Sequence, residues 1–127
     1  MSIIGIDHLA IGVHDLDASE RVWCERFGAT VTRRTTNETL GIRQVYVAFP
    51  EGSQLELFSP VDDSSPMAAV LDEQGEGFRA LSLMVDDVQE ALADLTSKGV
   101  RTFTHGDVVF LHPSSTNGLV ISLMPRP

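Results

Sequence analysis

The sequence predicts an α+β fold built from two copies of one βαβββ unit. Three observations predict it. IDHLAIGVHD (6–15) and FRALSLMVDD (78–87) read as two versions of one strand that runs into an acidic helix cap. Each is followed by one helical stretch and then by three strand-like runs. At 127 residues, with 43% hydrophobic and 21% charged side chains, the chain has the composition of one modest globular domain rather than a disordered segment.

The elements follow in order. IGIDHLAIGV (4–13) alternates as a half-buried strand does. LDASERVWCERFG (16–28) reads as a helix with Asp15 or Asp17 as its N-cap and Gly28 as its terminator. Val22, Trp23 and Phe27 form its expected buried stripe. ATVTRRTT (29–36), RQVYVAFP (43–50) and SQLELFSP (53–60) are strands, separated by Asn, Gly and Pro punctuation. They complete a first module, 1–60. The connector VDDSSPMAAVLDEQGEG (61–77) carries a short helix over Pro66–Glu73.

The second module, 78–127, repeats the order. FRALSLMV is a strand, and DVQEALADLTSKG (87–99) is a helix whose Asp87 and Glu90 have capping-box spacing. Val88, Ala91, Leu92 and Leu95 fall on one helical face. VRTFTH (100–105), DVVFLHP (107–113) and LVISLMP (119–125) are three further strands. The two modules and the connector form a single domain over 1–127, each helix covering one sheet face and leaving the other free.

Strand parity assigns residues to those faces, because successive side chains point to opposite sides. Leu9, Ile11 and Val13 pack on the helix; His8, Ala10 and Gly12 lie opposite. Leu55 and Leu57 are core, with Gln54, Glu56 and Phe58 opposite. Leu81, Leu83 and Val85 are core, with Ala80, Ser82 and Met84 opposite. Leu119, Ile121 and Leu123 are core, with Val120, Ser122 and Met124 opposite. Gln44 and Tyr46 share a face of their own strand.

Composition excludes several function classes. A formal net charge of −9, with Lys98 the only lysine, argues against a nucleic-acid partner, which requires a concentrated basic surface. No apolar run is long enough to span a bilayer. Cys24 is the only cysteine, so no internal disulfide forms, and beside Trp23 it reads as a structural thiol. MSIIGIDHL lacks the basic start of a signal peptide. A cytoplasmic protein with a small-molecule ligand is the expectation.

Taken together, IDHLAIGV, ERFGATV, QLELFSP, SSPMAAVLDEQGEG, VDDVQEALADLTSKGV and FLHPSSTNGLVISL resemble the vicinal oxygen chelate superfamily, which includes glyoxalase I, extradiol dioxygenases and bleomycin-resistance proteins. Within it the sequence is most similar to the methylmalonyl-CoA epimerases. The resemblance implies two modules joined in a cupped mixed sheet around a central cavity, helices on the convex face, and a homodimer. It also implies a divalent metal held on the first and last strands of each module. Carried over, those four positions are His8, Glu56, Ala80 and Ser122. Ala80 stands for a histidine and Ser122 for a glutamate. A catalytic metal normally needs three protein ligands, so no metal cofactor is expected here; if one is present, His8 and Glu56 are its remaining ligands. The epimerases' two glutamate bases fall on Ser122 and near Gln44, and neither residue present is a carboxylate.

Three readings follow for function. In the first, the chain is a metal-independent enzyme performing acid–base chemistry on a small carbonyl-bearing metabolite of the acyl-CoA or polyketide-like kind. His8 is then the general base and Glu56 its orienting partner. Gln44, Tyr46, Phe58, Ala80, Ser82, Met84, Ser122 and Met124 are the expected substrate-binding residues. In the second, the same residues line a pocket that sequesters a small ligand. In the third, an atypical ligand set, drawing on His105 or His112, completes a metal-dependent lyase or epimerase. Arg33 and Arg34 either meet a phosphate or carboxylate or belong to a solvated edge.

Overall fold

The computed structural model describes residues 3–126. Its elements are β1 (Ile3–Gly12), α1 (Leu16–Arg21), β2 (Thr30–Asn37), β3 (Ile42–Ala48), β4 (Gln54–Pro60), α2 (Pro66–Gln74), β5 (Gly77–Val85), α3 (Val88–Ser97), β6 (Thr102–His105), β7 (Val108–Leu111) and β8 (Ile121–Pro125). The fold is α+β with mixed strand pairing, and the βαβββ order read from the sequence occurs twice.

The chain divides into two compact units, Ala10–Phe78 and Met1–Leu9 with Arg79–Pro127. β1 therefore contributes its first part to one unit and its end to the other. In the Ala10–Phe78 unit the strand order is β2-β3-β4-β1, with the pairs β2–β3 and β3–β4 antiparallel. Just past β1, Val13 N–H donates to Phe58 O at 2.9 Å. In the other unit the order is β1-β5-β8-β7-β6, with β5 and β8 parallel and the outer pairs antiparallel.

Helix caps are set by short polar side chains. Asp15, rather than Asp17, caps α1: its Oδ1 accepts from Ala18 N–H at 3.0 Å. Ser65 caps α2 through Met67 N–H at 3.1 Å, and its hydroxyl also donates to Leu40 O at 2.6 Å. Asp87 accepts from Glu90 N–H at 2.9 Å, the first half of the capping box its spacing predicts.

α1 does not continue to Gly28 as one regular helix. It passes into a π-helical turn, Val22–Arg26, and ends where Ala29 N–H reaches back to Trp23 O at 3.1 Å around Gly28, whose φ is +76°. The wider turn moves the later residues out of phase with the helix face. Phe27, expected in the buried stripe, is consequently exposed, its ring edge-on to Trp23 at 5.1 Å between ring centres.

Parity is borne out in the core of the Met1–Leu9 and Arg79–Pro127 unit. Val85, Ala91, Val109, Leu111, Ile121 and Leu123 form one buried cluster, with Leu81, Leu83, Val88, Leu92 and Leu95 packed against it. One end differs from expectation. β8 begins at Ile121, two residues late, because Pro113–Ser115 forms a 3₁₀ turn and the chain turns again through Gly118. Leu119 is thus exposed rather than core. In the Ala10–Phe78 unit Leu57 and Val47 are fully buried, as alternation requires.

Candidate functional site

Each unit carries one buried polar cluster on the sheet face opposite its helix-facing leucines. In the Ala10–Phe78 unit the cluster is Gln44, Tyr46 and Glu56. Register sets it: Tyr46 lies opposite Glu56 and Gln44 opposite Phe58, so all four side chains share one face. Gln44 Nε2 donates to Glu56 Oε2 at 3.0 Å, and Tyr46 O–H donates to Glu56 Oε1 at 3.3 Å. Glu56 is only 7% exposed, so these donors offset the cost of burying its carboxylate. Burial first, and the neighbouring Glu56 charge second, push the Tyr46 phenol up to about 12, so it remains a donor at neutral pH.

Arg33 joins this face through an irregularity that parity alone does not reveal. The β2–β3 register passes from Val31↔Val47 to Arg33↔Tyr46, so Thr32 is the extra residue of a bulge. The bulge rotates Arg33 onto the Tyr46 side, where its guanidinium stands 4.2 Å from the ring centre. Arg34 is turned the other way. It forms a two-pronged ion pair with Glu20 of α1, one contact being Nη2 to Oε2 at 2.9 Å, which holds the Glu20 carboxyl below its ordinary range.

The second cluster belongs to the other unit and joins β1, β5 and β8. His8 and Ser82 are buried, and Ser82 pairs with Ser122 across the parallel strands. His8 Nδ1 lies 2.7 Å from Asp7 Oδ2, and its Nε2 lies 3.2 Å from Ser82 Oγ. Ser82 Oγ lies 2.6 Å from Ser122 Oγ. The carboxylate fixes the Nδ1 end of this chain, and the protonation of the ring sets the direction of the rest. An ionised carboxylate only accepts, so Nδ1 carries the hydrogen and the Nε2 of a neutral ring is the acceptor. With the ring neutral, Ser82 O–H donates to Nε2 and Ser122 O–H donates to Ser82. Protonating His8 at Nε2 would reverse both hydroxyls.

The surroundings of this chain are soft and apolar. Ala80, Met84 and Met124 share its face by strand parity, and Met84 pairs with Met124. Phe110 opposes Ser122 across β7–β8, and Phe103 opposes Phe110 across β6–β7. The two rings stack at 5.4 Å. Two residues that the sequence reading passed over therefore matter. Asp7 was hidden because strand parity points it away from His8, and Phe110 because no motif marks its strand. Among the described residues, no three or more His, Cys, Asp and Glu side chains gather as a metal-ligand set. His105 and His112 sit on β6 and just past β7; His112 Nδ1 is occupied with Ser114, accepting from its N–H at 3.1 Å. Among the described residues no helix is long and apolar enough to cross a membrane.

Comparison with known proteins agrees with this architecture. Residues 7–112 match the model of the Glyoxalase/Bleomycin resistance protein/Dioxygenase superfamily. The mitochondrial methylmalonyl-CoA epimerase of Dictyostelium discoideum is 32% identical, over 93% of this chain and 76% of its own. The crystal structure of methylmalonyl-CoA epimerase from Mycobacterium tuberculosis superposes with a TM-score of 0.89 at 30% identity, covering 98% of this chain and 89% of that one. A methylmalonyl-CoA epimerase in complex with methylmalonyl-CoA and NH4+ superposes at 0.85 with 29% identity, over 98% and 95%. The repeated βαβββ order, the strand pairing and these likenesses lead to one conclusion: the chain belongs to the Glyoxalase/Bleomycin resistance protein/Dioxygenase superfamily.

Proposed function

We propose that the protein is a metal-independent enzyme that moves a proton at the carbon next to the carbonyl of an acyl-CoA thioester, with His8 as general base. The observation that carries this reading is the imidazole itself. It is 5% exposed, with Nδ1 held by the Asp7 carboxylate at 2.7 Å and Nε2 in hydrogen-bond contact with Ser82 Oγ at 3.2 Å, the nitrogen that takes up a proton when the ring is neutral. The substrate class is supported by the likeness to epimerases, one of them in complex with methylmalonyl-CoA.

The fold family implies a divalent ion, but the donor set present does not fit one. Ala80 has no ligand atom, and the neutral Ser122 hydroxyl is already hydrogen-bonded to Ser82 at 2.6 Å. His8 and Glu56 would be two ligands where a catalytic centre ordinarily has three. Acid–base work therefore falls to His8. Within its own unit, Ala80, Ser82, Met84, Ser122 and Met124 contact the substrate beside His8; Glu56, fixed by Gln44 and Tyr46, is the charged group of the other unit's polar face. As part of the same proposal the protein works as a homodimer in the cytoplasm.

A second reading has its own observation. Glu56 is buried with both carboxylate oxygens engaged, an arrangement that also suits ligand recognition without turnover. One experiment separates the two. Methylmalonyl-CoA is incubated with the protein in D2O and its α-position followed by NMR. Wild type exchanges the α-hydrogen and His8→Ala does not, if the enzymatic reading holds. Binding without exchange by wild type would assign the chain to sequestration.

A further inference from the structure

Asp7, His8 and Ser82 are arranged as carboxylate, imidazole and hydroxyl in series, at 2.7 and 3.2 Å. That order equips a serine for attack as well as a histidine for proton removal. We propose that Ser82 is a nucleophile and that the protein also cleaves thioesters through an acyl-Ser82 intermediate. His8 is then the base and Asp7 a positioning residue. The thioester as substrate class rests on the reading above; the nucleophile does not.

Three features of the cluster support the assignment. Ser82, His8 and Ser122 are 4%, 5% and 6% exposed, so their interactions are weakly screened by water. Nδ1–H is committed to Asp7, so when the ring is neutral the Ser82 hydroxyl donates to Nε2, 3.2 Å away, where a base must receive its proton. The Ser122 hydroxyl lies 2.6 Å from Ser82 Oγ, and once Ser82 has given its proton to the ring it is the donor next to the atom from which a tetrahedral intermediate grows.

The step balances without a co-reactant other than water. Ser82 Oγ bonds to the thioester carbonyl carbon as its proton passes to His8 Nε2. The carbon–sulfur bond breaks, and the thiolate takes that proton and leaves as free thiol. Water then adds to the acyl carbon while giving a proton to Nε2. The Ser82 oxygen–carbon bond breaks, the serine recovers its proton, and a carboxylic acid departs. No oxidation state changes.

The test uses the full chain and an alkyl fluorophosphonate, which phosphonylates activated serines irrespective of any acyl-CoA specificity. The expected result is one adduct per chain by intact mass, mapped to Ser82 by peptide mass spectrometry. Ser82→Ala should abolish it, and His8→Ala should slow it by a factor on the order of a hundred or more. Ser82→Cys, which preserves size, should shift reactivity from the fluorophosphonate to iodoacetamide and so guards against a variant that fails to fold. In parallel, methylmalonyl-CoA should release free thiol with wild type and not with Ser82→Ala. Absence of an adduct on native wild type, or an undiminished adduct in Ser82→Ala, overturns the nucleophile. Exchange of the α-hydrogen without thiol release or adduct overturns thioester cleavage and leaves the proton-transfer reading standing.

Discussion

Tyr46 is the only tyrosine, so its ionisation can be followed in isolation by absorbance near 295 nm. It is 7% exposed, and its phenol is pushed up to about 12 by burial first and by the Glu56 charge second. The usual value is about 10. The charged form is the deprotonated one, so a raised value means that the fold favours the neutral phenol. That contribution is fully present below pH 10 and is lost as pH rises from about 10 to about 12. Two pKa units amount to roughly 2–3 kcal/mol of stability disappearing over that window. Stopped-flow pH jumps, fast enough to precede alkaline unfolding, should give a midpoint near 12 for wild type. Glu56→Gln should bring the midpoint part of the way down, since burial remains. A wild-type midpoint near 10 would refute the placement of Tyr46 in a buried pair with Glu56.

Three further outcomes test other links. Leu57→Ala, at a fully buried position on the helix-facing side of β4, should cost about 2–5 kcal/mol by urea denaturation. Asp87→Ala removes the α3 cap and should cost about 1 kcal/mol, whereas Asp87→Ser should recover most of it. Asp7→Asn weakens the anchor of His8 without unfolding β1. It should lower kcat for α-hydrogen exchange at least tenfold with KM little changed, a split that simple destabilisation would not produce.

Alternation alone placed Leu81, Leu83, Val85, Ile121 and Leu123 on the core face and Ser82 and Ser122 opposite, because a strand's side-chain period is fixed by its backbone. Caps were equally legible, since Asp15 and Asp87 act within three residues of themselves. What escaped depends on events that local pattern does not encode. The π-helical turn shifts Phe27 out of the helix face. The bulge at Thr32 turns Arg33 toward Tyr46, which only the pairing with β3 decides. Asp7 reaches its neighbour's ring by side-chain rotation, and parity says nothing of that. The candidate site positions came from strand parity and from the family resemblance, and the two copies could be laid side by side. His8 and Ala80 occupy equivalent places, and the difference drew attention to the strand where Ser82 lies.

The central claim is that His8, held by Asp7, performs its chemistry without a divalent metal. The most direct measurement takes one preparation, dialysed against a strong chelator and assayed for metal by elemental analysis, and follows its exchange of the methylmalonyl-CoA α-hydrogen in D2O. The account predicts exchange at an undiminished rate with less than about a tenth of an equivalent of metal, and no exchange in His8→Ala. Exchange that vanishes with the metal and returns on adding a stoichiometric divalent ion would contradict it.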